Sequence, residues 1–68
     1  MKETKIVLAV KDDSALYLFQ REFGDDSQTE FVVAYSDGPV KIGDYVDGWS
    51  CGHYFYTLED AVNYFKTR

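Results

Sequence analysis

The sequence predicts an α+β fold: an antiparallel sheet of three to four strands with a C-terminal helix packed on one face. Three observations carry this reading. β-Branched and aromatic residues gather in short runs at about 5–11, 15–23, 29–36 and 53–56, and the breaks between them are rich in Asp, Ser and Gly. Apolar residues recur at helical spacing over about 58–67, where Leu58, Ala61, Val62 and Phe65 share one side. The chain has 68 residues, 46% of them hydrophobic and 18% aromatic, which suits one packed domain spanning 1–68 and excludes a disordered chain.

The first strand, residues 5–11 (KIVLAVK), is β-branched and apolar on both alternations and is closed by the turn-prone Asp12-Asp13-Ser14. Residues 15–23 (ALYLFQREF) admit two readings. Ser14 could cap a helix that Gly24 ends, with Leu16, Phe19 and Phe23 on one side; as a strand, Ala15, Tyr17 and Phe19 share a face. Aromatic enrichment and the short link from the preceding strand favour the strand. Residues 29–36 (TEFVVAYS) alternate Phe31, Val33 and Tyr35 with Val32 and Ala34, the clearest strand of the chain. Residues 37–52 hold four of the five glycines and the only proline, and read as loop, with a short strand at 40–42 or 44–46 or a hidden hairpin as the alternatives. A strand at 53–56 then leads to Thr57, which with Asp60 approximates a capping box, while Glu59 and Asp60 open the helix and Lys66 and Arg68 close it, as the macrodipole prefers.

These elements leave an imbalance. Several strands are apolar on both faces, yet one short helix covers only one. The second face needs the glycine-containing segment folded back, a second copy of the chain, another protein, or a helix at 15–23. An uncovered aromatic face would be an interaction surface.

Charge narrows the partners. Seven basic residues against twelve acidic ones give a net charge of −5, which opposes binding to phosphate backbones, so no direct nucleic-acid contact is expected. Residues 12–60 carry eleven acids against Arg21 and Lys41, a net −9 that reads either as solvated turns or as docking charge for a basic partner. The longest apolar run of the N-terminus, residues 6–10, is too short for a signal peptide core or a membrane span, so no membrane is expected. The single Cys51 excludes an internal disulfide and suits a reducing, cytoplasmic setting.

Chemistry is sparse. Cys51 and His53, two apart, could meet on one strand face, but one Cys and one His match neither half of a zinc pattern and no orienting third group is signalled. The Asp12-Asp13 and Asp25-Asp26 pairs lack a calcium-loop pattern, and the glycines form no phosphate cradle. No catalytic, metal or cofactor residue is assigned. The aromatic residues in and beside one loop, Tyr45, Trp49, Tyr54 and Tyr56, together with Asp44 and Asp47, are the candidate protein-interaction site, because Tyr and Trp lead interface hot spots; core filling is the competing account.

The string Trp49-x-x-Gly52-x-Tyr54-Phe55-x-x-Leu58-x-x-Ala61-x-x-x-Phe65 resembles the ending of small uncharacterised proteins of Gram-positive bacteria and their phages, in which a Gly-x-Tyr-Phe strand runs into a helix. That resemblance covers the C-terminal third and implies a fold segment without an activity. In size and acidity the chain is also similar to phage-encoded inhibitors such as anti-CRISPR proteins. The expectation is a small non-catalytic interaction domain that meets another protein or a second copy of itself as a homodimer. The alternative is an acidic inhibitor docking on a basic nucleic-acid-binding cleft of another protein.

Overall fold

The computed structural model describes residues 2–67. It contains β1 (Lys2–Lys11), β2 (Ser14–Phe23), β3 (Asp26–Tyr35), β4 (Ser50–Phe55) and α1 (Leu58–Lys66). The strands form one antiparallel sheet in the order β1-β2-β3-β4, so each neighbour in sequence is a neighbour in space. The predicted α+β class holds, with all four strands and the helix in the expected order. Two-residue turns link the first three strands: Lys11 pairs with Ser14, and Phe23 with Asp26. Such tight hairpins need left-handed backbone, which Asp12 (φ 54°) and Gly24 (φ 58°) supply.

Residues 15–23 are strand. The register explains why: Tyr17 lies between Val7 and Val32, while Leu16 lies between Ala9 and Val33, so alternate residues enter two different apolar layers. A helix would have buried only one stripe of this segment and left Tyr17, here fully buried, outside it. β4 starts three residues earlier than its composition suggests. Its ladder with β3 slips between the Val33–His53 and Tyr35–Ser50 pairs, which sets Cys51 and Gly52 against the single residue Ala34. This is a β-bulge, and Cys51 takes its left-handed position at φ 55°. α1 is capped as expected: the Thr57 hydroxyl accepts from the Asp60 N–H at 3.3 Å.

Both faces of the sheet are covered. On one, Leu16, Val33 and Ala61 form a buried cluster joined by Phe31, Phe55, Val62 and Phe65, with α1 as the outer layer. On the other, Val7, Ala15, Tyr17, Val32 and Ala34 are buried beneath Val40, Val46 and Trp49. The second layer is therefore the glycine-containing segment of the same chain, and this face needs neither a second copy nor another protein to cover it. The segment is not a hairpin; it is a hoop that returns to the far edge of the sheet. There the Val7 N–H donates to the Asp44 carbonyl at 2.9 Å, the Gly43 N–H to the Val7 carbonyl at 2.8 Å, and the Val46 N–H to the Lys5 carbonyl at 3.0 Å. A bridge between Ile6 and Tyr45 completes this contact. Gly43 makes the turn into it at φ 94°, a conformation that costs a residue with a Cβ about 1 kcal/mol or more. The neck of the hoop is tied twice: the Ser36 N–H donates to the Asp13 carbonyl at 3.0 Å, and the Ser50 hydroxyl donates to Asp37 Oδ1 at 2.8 Å.

Candidate functional site

The bulge in β4 and the return of the hoop decide where the candidate residues lie. Trp49 enters the core layer. Its ring lies 4.6 Å from that of Tyr17 at 30°, and 5.6 Å from that of Phe19 at 78°, while its Nε1–H donates to the Tyr54 hydroxyl at 3.0 Å. Gly52 lies under this bracket: a Cβ there would stand 2.9 Å from Trp49 Nε1 and 3.1 Å from Tyr54 Cε1. Trp49 is thus the plug of the second layer and not a free surface anchor.

Tyr45, Tyr54 and Tyr56 are exposed by 76%, 52% and 78%, but they do not form one patch. The register sets Tyr45, Ile6, Leu18, Phe31 and Phe55 in one row across the sheet. Tyr45 is at one end of that row and Tyr56 follows the residue at the other, roughly 19 Å away at the usual spacing between strands. Asp44 and Asp47 stay with Tyr45. The Asp44 carboxylate accepts from the Lys41 N–H at 2.9 Å, and the Asp47 carbonyl accepts from Lys5 Nζ at 2.9 Å. The six candidates therefore divide into a β1 margin (Asp44, Tyr45, Asp47), a β4 margin (Tyr54, Tyr56), and Trp49, partly buried against the core between them.

The two margins differ in backbone chemistry. The β1 edge is occupied over its middle, Lys5–Val7, by residues 43–46 through the bonds above. The β4 edge, among the described residues, has no backbone partner on its outer side. Alternate N–H and C=O groups of β4 face outward there, next to Tyr54 and Tyr56.

Cys51 and His53 are not assembled for catalysis. The bulge breaks the alternation that would have set them on one face; Cys51 is exposed, and the His53 ring lies 4.8 Å from that of Tyr64 on α1. Among the described residues no group of His, Cys, Asp or Glu is arranged to hold a metal ion. Asp12 and Asp13 form one hairpin turn and Asp25 belongs to the other, at opposite ends of ten-residue strands.

One residue stands out that sequence reasoning used only as core. Tyr17 is fully buried, and its hydroxyl is bonded to no protein group. Burial, and secondarily the Asp37 carboxylate, push this hydroxyl above its ordinary value of 10.0. A buried hydroxyl without a partner costs about 1 to 3 kcal/mol. Tyr17→Phe is therefore expected to raise the melting temperature by several degrees, at roughly 4 to 8 °C per kcal/mol for a domain this small. The pH dependence has a definite sign: because the folded pKa lies above the unfolded one, Tyr17's contribution is fully present below pH 10 and is lost as pH rises beyond it. Melting curves at neutral and alkaline pH check this, since the variant should keep its advantage at neutral pH and lose less above pH 10. A variant less stable than the parent at neutral pH would mean that the hydroxyl is satisfied.

The signal for this site lies in the hoop. Tyr17, Asp37, Pro39, Val40, Tyr45 and Val46 are among the residues that line a cavity of about 340 Å³. The chain matches no family model, no curated protein and no solved structure. No helix among the described residues is long and apolar enough to cross a membrane.

Proposed function

We propose that this chain is a small non-catalytic protein-interaction domain that meets its partner along the β4 margin. The observation that supports this reading is the difference between the two sheet edges: the chain caps the middle of one with its own residues and, among the described residues, leaves the other without a backbone partner beside two exposed tyrosines. An extended segment added to such an edge gains main-chain hydrogen bonds, and Tyr54 and Tyr56 would flank it with large amphipathic rings. The occupant is a strand of another protein or the same strand of a second copy, and the setting is the cytoplasm. The reading as an acidic inhibitor draws less support, because the acids are spread over two turns about 30 Å apart, β2, β3, the hoop and the first turn of α1, and not gathered in one element.

Sedimentation equilibrium over a concentration series, followed by capture from lysate, tests this proposal. The expected result is a complex, with itself or with a captured protein, that persists from low to high salt, since an aromatic and main-chain contact is little screened. Tyr56→Ala should weaken that complex about tenfold or more while leaving the melting temperature unchanged, because the ring is exposed in the free chain. A complex that dissolves in salt, or that ignores the substitution, would overturn the β4 assignment.

A further inference from the structure

We propose that the hoop of residues 37–48 is a binding site for a small alkylammonium ion, with the cationic head placed at the Tyr17 hydroxyl and the Asp37 carboxylate. This site is separate from the β4 margin and does not depend on it. Its volume of about 340 Å³ lies at the small end of the range for organic ligands, roughly 300 to 1,000 Å³. Hydrogen bonds to β1 fix the far side of the hoop and the Ser50–Asp37 bond ties its neck, so the walls of this open cavity are held in place.

The polar groups select the ligand. Tyr17 is among the residues that line the cavity, and its hydroxyl is buried without a protein partner, so a lone pair is left for an N–H that reaches it from the cavity. Asp37 lies close enough to act on that hydroxyl, and Ser50 uses only one of its carboxylate oxygens. Asp47 adds a second negative charge to the lining. Lys5 is engaged elsewhere: its Nζ sits on the Asp47 carbonyl and over the Phe19 and Trp49 rings, at 5.5 and 5.9 Å from their centres. A carboxylate or phosphate would be repelled by two acids, and a neutral alcohol would leave the charge uncompensated. An ammonium head answers both the hydroxyl and the carboxylate, while Pro39, Val40 and Val46 offer apolar contact to an alkyl stem.

The test is an amide NMR titration of the intact chain with n-butylammonium chloride, with n-butanol and sodium butyrate as the neutral and anionic isosteres. Saturable shifts at Val40, Val46, Gly38 and Gly48 are expected for the ammonium probe, with butanol about tenfold weaker and butyrate inert. Asp37→Asn keeps an oxygen for Ser50 yet removes the charge, and should weaken the ammonium about tenfold. Tyr17→Phe should weaken it as well, and because that variant is expected to be more stable than the parent, its loss of binding would not be a loss of folding. Equal binding of butanol and butylammonium, an unchanged affinity in Asp37→Asn, or no saturable shift with any probe, leaving a cavity that holds only water, would each overturn the proposal.

Discussion

Trp49→Ala is expected to cost about 3 to 5 kcal/mol, the range for removing a large aromatic residue from a core. A domain of this size has little more than that to lose, so the variant should melt without a cooperative transition near room temperature. The reason is position. The Trp49 ring meets those of Tyr17, Phe19 and Tyr54 together, and it fastens the end of the hoop to the middle of the sheet. Without it, Tyr17 loses the ring that stacks on it and the second layer loses its anchor. Thermal unfolding followed by circular dichroism measures this. Trp49→Phe should restore most of the stability while still lacking the hydrogen bond to Tyr54. A melting point within a few degrees of the parent for Trp49→Ala would show that the hoop is held by its contacts with β1 alone.

Gly52→Ala carries the second large effect, about 1 to 3 kcal/mol, from overpacking. The added carbon would meet the Trp49 and Tyr54 rings at 2.9 and 3.1 Å, and the Trp49 ring has no room to swing because Tyr17 and Phe19 lie behind it. Gly48 provides the control: a Cβ there meets nothing within 4 Å, and the residue needs no left-handed backbone, so Gly48→Ala should be close to neutral. A double-mutant cycle isolates the cause. In the Trp49→Phe background, which lacks the indole nitrogen that stands 2.9 Å from the added carbon, Gly52→Ala should cost less than in the parent; strict additivity would place the strain elsewhere.

Much of this fold is legible in the sequence. The alternation at Ala15, Tyr17 and Phe19 identifies a strand, and the helical spacing from Leu58 to Phe65 identifies α1, because each pattern repeats over enough residues to name its period. The count of apolar faces against available cover is also correct, and among its answers is the one the chain adopts, a segment folded back. What composition could not say is which residues of that segment touch the sheet. Residues 37–49 have no period, because a hoop contacts its floor at isolated points: Val40, Val46 and Trp49 reach inward, while Ile42 and Tyr45, just as apolar, stay outside. Trp49 looked like a surface anchor for the same reason. A single tryptophan in a glycine-rich stretch carries no sign of direction, and the bulge at Cys51 that turns β4 toward it is marked in the sequence only by the neighbouring Gly52. The Tyr17 hydroxyl was invisible on different grounds, since whether a buried polar atom finds a partner is decided by neighbours distant along the chain.

The hoop also sets an order of events. β1, β2 and β3 are joined by two-residue turns, so their ladders zip between close neighbours and cost little loop entropy. The contact of Val7 with Gly43 and Asp44 spans more than half the chain and forms only once the meander exists to receive it. The same asymmetry runs in reverse in the native state. The amides of Val7 and Val46, which bond across that contact, are therefore expected to exchange with deuterium faster than those of Val32 and Val33 in the interior of the sheet, so that the hoop acts as a latch on the meander.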